Sequence, residues 1–476
     1  MKGTTVHYVL LSSFFCVFQL TAVMGTELPA VTHYKLNVRF QLKEQRVGIV
    51  ATLSIKNTSA RSHSRLPFLL YRLLTVKQVH DLSGLSLPFK QDIVQLHDEP
   101  SLQAREVVVD LRSPLKPRDS VTIMLSYDGF IFGYPEVMAY VKDRIDENYS
   151  LLRPDTYAYP VLAGPTFASV LAANDTKFTY DMTVTVPKDY RVAHGGETVD
   201  VRIDADSSTF TFRSKLPTWR IDVAVAKFRV LNNPDDQLVV YHLPQDSVGA
   251  RSVMLAARDV LSFYIDVFGR PTSYKGYTII EIPDGWGSQA GDYYFLQTAA
   301  AFTDSLRISE VYHEIAHSWN ATPAGDVQRC RFFDEGFASF FEALAIQRFD
   351  GERALQADME RSRSNFVQWG QYDPQVLNTP IAGYGLKELG RHSYTKGAWS
   401  LYVLYRLVGE KTFASIIRNM VNEFTTQPID FKKFQNLCER VAKRNLQKFF
   451  QEWIYGIESS NLLVDKVPIA DIVARY

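Results

Sequence analysis

The sequence predicts an α+β fold with two domains: an N-terminal antiparallel β-sandwich-like domain, and a C-terminal domain with a mixed β-sheet and mainly helices. Short runs of alternating polar and apolar residues dominate from Tyr34 to about Leu231, which is typical of antiparallel strands with one buried face. After Arg251, apolar residues recur at helical spacing instead. Between the two patterns, the polar segment NNPDDQ with Pro234 indicates a domain boundary.

These patterns give the bounds of the expected segments: a signal peptide at 1–25, an N-terminal β-domain at 26–234 and a second domain at 235–476. The runs that predict strands in the first domain are YKLNVRFQL, GIVATLSI, SVTIMLSY, KFTYDMTVTV, STFTFRS and RIDVAVAKFRV. In the second domain, LVVYHL and GYTIIEIP predict strands, with the helix RSVMLAARDVLSFYIDVFG between them. Further helices are predicted at about 305–319, 334–349, 395–408, 410–424, 429–442 and 445–455.

The first 25 residues differ from the rest of the chain. Lys2 precedes an apolar run of about 15 residues that ends in small residues, which is typical of a secretory signal peptide cleaved near Gly25. The alternative is a retained signal anchor, although the run is short for the ~20 residues that a membrane-spanning helix needs. We therefore expect a secreted or otherwise translocated protein (extracellular, periplasmic or in a secretory lumen), with no stable membrane span after signal cleavage.

The composition argues against nucleic-acid binding. Lys+Arg and Asp+Glu both number 52 among 476 residues, so no large field of one sign is available to attract nucleic acid. Beyond the signal segment the cysteines are Cys330 and Cys438; a disulfide framework is not expected, and whether these two pair is left open. The N-x-S/T sequons, whose glycosylation is also left open, are at Asn57, Asn148, Asn174 and Asn320.

The stretch VYHEIAHSWN, residues 311–320, carries the candidate chemistry. Residues four apart on an α-helix share one face, so His313 and His317 can direct two imidazoles at one metal ion. Glu314, next to the first histidine, is placed to act on a water molecule at that ion. Val311 and Ile315 give the helix an apolar side that would hold the ligands. The alternative is an ordinary surface helix with two histidines, which predicts nothing special downstream.

Glu335 supplies a third candidate ligand. It stands in RFFDEGFASFFEALAI, at the start of a predicted helix with an apolar stripe, where Asp334 is placed to cap the helix. A carboxylate at the head of a buried helix needs a partner, because burial of an unpaired charge is costly. Two histidines and one glutamate leave a fourth position on Zn²⁺ open for water, which is the arrangement of catalytic zinc sites.

Taken together, these residues resemble the gluzincin zinc metallopeptidases of the aminopeptidase N and leukotriene hydrolase type. In that family H-E-x-x-H is followed by the glutamate of an N-E-G-F-A-like stretch, and this chain has DEGFA at 334–338. The segments THYKLNV, IPD and SYTKGA extend the resemblance over nearly the whole mature chain. It implies a thermolysin-like zinc peptidase domain at 235–476.

The same resemblance implies one zinc ion per chain, held by His313, His317 and Glu335, and a peptide or protein substrate. It implies hydrolysis of peptide bonds by zinc-activated water, with Glu314 as the general base. Tyr394, in SYTKGA, takes the place of the family tyrosine that stabilises the oxyanion. The expected protein is thus a secreted, aminopeptidase-like zinc metallopeptidase.

The chain departs from the family where aminopeptidases bind the free amine of the substrate. Relatives carry G-x-M-E-N there, whereas this chain has GWGSQAGDYYFLQTAAAF, in which Gln289 or Asp292 stands nearest to the family glutamate. Both are candidate substrate-binding residues. Since a glutamine offers no charge to pair with an ammonium group, exopeptidase and endopeptidase action, or another amide hydrolysis at the same zinc, remain alternatives.

A second departure concerns the large C-terminal helical domain that many relatives have and that is not expected here. A non-catalytic zinc-binding scaffold is the alternative outside the enzymes. The sequence predicts neither the substrate preference nor the oligomeric state.

Overall fold

The computed structural model describes residues 28–271, 274–424 and 427–476, so the expected signal peptide lies outside the described residues. The N-terminal part is built from strands and the C-terminal part mainly from helices, which confirms the predicted α+β fold with two domains. Its strands are β1 (Ala30–Gln41), β2 (Arg46–Lys56), β3 (His63–Tyr71), β4 (Leu74–Asp81), β5 (Phe89–Leu96), β6 (Glu99–Leu115), β7 (Ser120–Gly129), β8 (Ser150–Leu152), β9 (Thr179–Pro187), β10 (Arg191–Ala193), β11 (Glu197–Ile203), β12 (Ser207–Arg213), β13 (Val223–Ala226), β14 (Arg229–Asn233), β15 (Leu238–His242), β16 (Tyr277–Ile282), β17 (Gln289–Gly291) and β18 (Tyr294–Thr298).

The α-helices come mostly after the strands. They are α1 (Phe167–Asn174), α2 (Ser247–Phe268), α3 (Ala300–Thr303), α4 (Ser309–Ala316), α5 (Gly325–Gln328), α6 (Phe337–Asp350), α7 (Glu352–Tyr372), α8 (Gln375–Asn378), α9 (Lys396–Val408), α10 (Glu410–Phe424), α11 (Phe431–Ala442), α12 (Gln447–Phe450), α13 (Glu458–Val464) and α14 (Ile469–Val473). Among the described residues, no helix is both long and apolar enough to cross a membrane.

The N-terminal domain contains a seven-stranded sheet in the order β11-β12-β9-β1-β2-β7-β4 and two three-stranded sheets, β3-β6-β5 and β10-β13-β8. Burial alternates along β1 and β2, because successive side chains of a strand point to opposite faces. The inward-facing residues form one apolar core, to which every strand of the seven-stranded sheet except β11 contributes. Five of the six alternating runs therefore correspond to strands of the seven-stranded sheet, whereas RIDVAVAKFRV is divided between β13, which is buried throughout, and the start of β14.

The C-terminal domain is organised around a five-stranded mixed sheet in the order β14-β15-β16-β18-β17. Strands β15, β16 and β18 are parallel, and the outer strands β14 and β17 pair antiparallel with them. All six residues of β16 are buried, as expected for a central strand covered on both faces. Strand β17 is the edge of this sheet, and the segment that carries His313 and His317 lies further along the chain.

The domains meet in an apolar cluster. The short strands β8, β10 and β13 of the first domain contribute residues such as Leu151 and Ala224, and β16 and β18 of the second contribute Ile280 and Leu296. The hydroxyl of Tyr149 also donates a hydrogen bond of 2.7 Å to the backbone carbonyl of Glu281. The sheet that borders the candidate site is thus packed directly against the N-terminal domain.

Three features go beyond the sequence-based expectations. Strands β14 and β15 form an antiparallel hairpin across residue 234, so the C-terminal sheet begins at Arg229, before the expected domain boundary. Helix α7, at 352–372, is not among the predicted helices. Cys330 and Cys438 are both buried and are not joined by a disulfide.

Candidate metal centre

The two histidines of the motif are presented by one helical segment. His313 lies on α4, and His317 is the first residue of the 3₁₀ turn 317–319 that continues it. Val311 and Ile315 on the same helix are completely buried, which fixes the helix against the core. The ring centroids of His313 and His317 are 5.0 Å apart. The i, i+4 spacing therefore places both imidazoles on one face.

Glu335 completes the cluster from a separate segment. It lies in a π-helical turn, 332–336, that leads into α6, and only 6% of its surface is exposed. Its Oε2 atom lies 3.1 Å from Nε2 of His313 and 3.6 Å from Nε2 of His317. π-Helical turns inside helices often occur at functional sites, because the extra residue redirects a side chain.

This donor set fits a zinc ion. Zinc–ligand distances of about 2.1 Å in a tetrahedral arrangement place neighbouring ligand atoms about 3.4 Å apart. The separations of 3.1 and 3.6 Å bracket that value, and the ligand atoms of His313, His317 and Glu335 all lie within 4.8 Å of one another. Two imidazole nitrogens and one carboxylate are the protein ligands of a catalytic zinc site.

Each ligand is held by a further side chain that the sequence analysis does not identify. Oε2 of Glu342, on α6, lies 3.2 Å from Nδ1 of His313, on the side of the ring away from Glu335. The side-chain amide of Asn320 lies 2.8 Å from Nδ1 of His317. The Arg331 guanidinium donates a hydrogen bond to Oε1 of Glu335. Such outer contacts fix the orientation of metal ligands and set the tautomer of a ligating histidine.

One signal for Glu342 is present in the sequence. It follows Glu335 by two helical turns, so the two carboxylates project from one side of the helix. The partners of His317 and of Glu335 carry no comparable signal, because Asn320 and Arg331 lie in turns whose shape depends on the surrounding fold.

The electrostatic surroundings give Glu335 and Glu314 opposite pKa shifts. Burial alone would raise the pKa of Glu335, but His317, His313 and Arg331 outweigh it and hold that pKa well below its usual range. Glu314 is 8% exposed, and its burial raises its pKa to about 8. One carboxylate is thus kept ionised, as a metal ligand must be, whereas the other readily takes up a proton.

Tyr394 lies beside the cluster. Its ring stacks on that of His313, with centroids 5.7 Å apart and planes 5° from parallel. Burial, and then the carboxylate of Glu335, raise the pKa of the Tyr394 phenol, so the hydroxyl keeps its proton and remains a hydrogen-bond donor. The structure thus brings together all five residues that the sequence singles out as ligands, base and oxyanion donor.

A cavity of about 740 Å³ opens on these groups. His313, Glu314 and Tyr394 line it from the motif side, and Ser288, just before β17, lines it from the sheet. Tyr140 contributes to the wall from the N-terminal domain. Helix α7 forms another part of the wall through Asp358, Met359, Arg361, Ser362 and Asn365. The cleft is thus built by both domains.

The candidate substrate residues lie outside the lining of this cavity. Gln289 is the first residue of β17, and its side-chain amide contacts Arg153, Arg220 and Asp155 of the N-terminal domain. Asp292 lies in the turn between β17 and β18 and is not among the residues that line the cavity. The structure therefore does not place these two side chains with the other five.

Two histidines and a glutamate converge beside a mixed sheet, with a glutamate and a tyrosine at the same cavity, and this donor set suits a catalytic zinc ion. Residues 294–453 match the model of the peptidase family M1 domain. The matched range contains His313, His317, Glu335, Glu314 and Tyr394.

Known proteins resemble the chain over a wider range. It is 22% identical over 307 residues to "probable aminopeptidase 2" of Sulfurisphaera tokodaii, covering 58% of this chain and 38% of that protein. The M1 zinc metallopeptidase of Deinococcus radiodurans superposes with a TM-score of 0.62 at 19% identity, covering 92% of this chain and 95% of that one. Native yeast LTA4 hydrolase gives a TM-score of 0.65 at 16% identity, covering 91% and 69%.

At these identities the solved structures show a shared two-domain fold. The chain spans less than half the length of the Sulfurisphaera protein.

Proposed function

We propose that the chain is a zinc-dependent, aminopeptidase-like metallopeptidase that hydrolyses peptide bonds. The observation that carries this proposal is the convergence of Oε2 of Glu335 with Nε2 of His313 and of His317, at 3.1 and 3.6 Å, next to a cavity that Glu314 and Tyr394 line. One zinc ion per chain would be held by these three ligands. When bound, zinc supplies a Lewis acid that activates water near neutral pH and polarises a carbonyl group.

Glu314 is proposed as the general base. Its carboxyl group is buried at the cavity wall, beside the first zinc ligand, and its raised pKa of about 8 suits a group that gains and releases a proton near neutral pH. It would take the proton from the attacking water and pass it to the leaving amine. Glu342 and Asn320 would hold the two imidazoles while Glu314 moves the proton.

Tyr394 is proposed to stabilise the oxyanion. A neutral phenol donates a hydrogen bond to a developing negative charge without adding charge of its own. The stacking of Tyr394 on His313 keeps the hydroxyl close to the metal ligands, and its raised pKa keeps the proton in place.

Two further points belong to this proposal. The substrate is a peptide or protein segment, because the cavity of about 740 Å³ has room for side chains on either side of the reacting bond. Residues 1–25 act as a secretory signal peptide, so hydrolysis takes place after translocation.

A peptide library tests the proposed activity. The purified chain, loaded with one equivalent of zinc, is incubated with mixed peptides, and the products are mapped by mass spectrometry. Cleavage that stops on addition of a chelator and returns with zinc supports the proposal. A protein that holds one zinc ion yet leaves the whole library intact would instead indicate a non-catalytic scaffold.

A further inference from the structure

The edge strand that borders the cavity is tied to the N-terminal domain by one side chain. Gln289 begins β17, the outermost strand of the C-terminal sheet, directly after the cavity-lining residues Gly287 and Ser288. The position of its backbone therefore sets the position of one wall of the cleft.

Both the oxygen and the nitrogen of the Gln289 side-chain amide form hydrogen bonds with charged residues of the N-terminal domain. Its Oε1 atom accepts hydrogen bonds of 2.6 Å from Arg220 and 3.3 Å from Arg153. Its Nε2 donates one of 2.9 Å to Oδ1 of Asp155. Both lone pairs of the amide oxygen are thus directed at guanidinium groups, and none is left for a substrate group at this point.

The two guanidinium groups are themselves buried and compensated. Arg153 is 0% exposed and pairs with Asp143 at 2.8 Å, and Arg220 is 2% exposed and pairs with Asp222 at 2.6 Å. Buried charges of this kind hold their geometry, because separation of a pair would leave a charge without a partner. The anchor of Gln289 is therefore rigid.

Arg153 also links two walls of the cleft through the backbone. Its Nη2 donates to the carbonyl oxygen of Trp286 at 3.0 Å, immediately before the cavity-lining Gly287, and to the carbonyl oxygen of Tyr140 at 3.1 Å. Tyr140 lines the cavity from the N-terminal domain. One buried side chain thus holds a wall segment from each domain.

We propose that Gln289 is a positioning residue, held by Arg153, Arg220 and Asp155 to fix the edge of the cleft, and that the enzyme accepts peptides whether or not their N-terminus is free. An α-ammonium group brought to Gln289 would face two guanidinium groups, and the amide oxygen of Gln289 already accepts a hydrogen bond from each of them. The carboxylate of Asp155 beside it is already bonded to Gln289 and lies 3.6 Å from Arg220. This inference rests on the proposed peptidase function and extends it to the substrate class.

A pair of peptides tests the substrate class. A peptide that the library shows to be cleaved is compared with its N-acetylated form, using the zinc-loaded full chain. The kcat/KM values are expected to agree within about threefold. A preference of tenfold or more for the free amine overturns the inference. Absence of cleavage of both peptides, with zinc bound, refutes the proposed function instead.

A matched pair of variants tests the positioning role. Gln289→Met removes the amide and keeps a similar volume, whereas Gln91→Met removes an amide that bonds to the backbone of Val76, outside the cavity lining. Gln289→Met is expected to raise KM about fivefold for both peptides with kcat and zinc content nearly unchanged, and to speed amide hydrogen exchange at 287–291. The Gln91→Met variant should match the parent in all four measurements.

The hydrogen-exchange measurement tests the positioning role even if no peptide is cleaved. Unchanged exchange at 287–291 in folded Gln289→Met shows that the amide does not hold the strand, and it overturns the positioning role. A KM increase confined to the peptide with a free amine would show that Gln289 binds the substrate, and it would overturn the inference as well.

Discussion

The carboxylate of Glu342 lies 3.2 Å from Nδ1 of His313, and the Nε2 atom of the same ring lies 3.1 Å from Glu335. One imidazole is therefore held between two carboxylates that project from a single helical segment. Only Glu335 is placed to share a metal ion with His317, and Glu342 remains to accept the Nδ1 proton. This contact assigns different roles to two glutamates of the same segment.

Replacement of Glu342 should weaken zinc binding. Loss of an outer partner of a ligating histidine typically reduces metal affinity about 10–100-fold, because the ring loses its fixed tautomer and orientation. We expect a decrease of this size for Glu342→Ala and a smaller one for Glu342→Gln, whose amide oxygen still accepts from Nδ1. Competition with a chromophoric chelator measures the affinity. Glu423→Ala, at an exposed position on α10, serves as the control and should bind zinc like the parent.

Replacement of Glu314 should separate metal binding from catalysis. Glu314→Gln keeps the shape of the side chain but cannot take up a proton, so peptide cleavage should decrease by about 10²–10⁴-fold, the usual contribution of a general base. Zinc content should stay at one ion per chain, since Glu314 is not among the clustered ligands. Metal analysis and rate measurements on the same preparation check both points. Cleavage at the parental rate would show that another group is the base.

Replacement of Tyr394 should act on the turnover number. Tyr394→Phe keeps the ring stacked on His313 and removes only the hydroxyl. Loss of one oxyanion donor typically costs about 10²–10³-fold in kcat. We expect kcat to decrease towards that range, with a small change in KM and full zinc occupancy. Steady-state kinetics on one well-cleaved peptide, with metal analysis, checks this. An increase in KM of that size with no change in kcat would show that the hydroxyl acts in substrate binding rather than in the transition state.

The stability of the protein should depend on the protonation of Glu281. This carboxyl group lies in the central strand β16; burial, with the neighbouring carboxylate of Asp246, raises its pKa from 4.5 to about 9, against the opposing effect of a hydrogen bond from the backbone amide of Leu243. Between these two values the folded chain keeps a proton that the unfolded chain has released, so the free energy of unfolding decreases as pH rises.

Glu281→Gln should remove this dependence, since an amide is neutral at every pH and can still accept the hydrogen bond from the backbone amide of Leu243. Between pH 5 and pH 8 the parent should lose about 4 kcal/mol of unfolding free energy that the variant keeps, since each pH unit over which the proton is held carries about 1.4 kcal/mol. Denaturant unfolding at both pH values measures the difference. A parallel pH dependence of the two proteins would show that Glu281 does not titrate in this window.

The part of the site that the sequence predicts is the part that depends on local geometry. The spacing of His313 and His317 is a property of the helix itself, and the pattern around Glu335 is equally local. The contact of Glu342 with His313 depends instead on how α4 packs on α6. The spacing of residues along the sequence does not predict that packing. Gln289 shows the same limit: its partners are separated from it by 69 to 136 residues.

Helix α7 illustrates the corresponding limit for the fold. Its buried residues Leu355, Met359 and Phe366 have helical spacing, but charged and polar residues surround them and weaken the periodic signal. The helix is recognised only once its packing against α6 and α9 is known. Since α7 forms one wall of the cavity, the shape of the cleft could not be predicted from the sequence, whereas the convergence of His313, His317 and Glu335 could.

The β14–β15 hairpin determines where the two halves of the molecule could be cut apart. A fragment that starts at residue 235 would lack β14 and leave the backbone amides and carbonyls along one side of β15 without partners. An exposed edge strand of this kind can pair with the same strand of a second fragment, so the fragment should self-associate. A fragment that starts a few residues before Arg229 keeps its border strand and is the better choice for preparing the C-terminal half by itself.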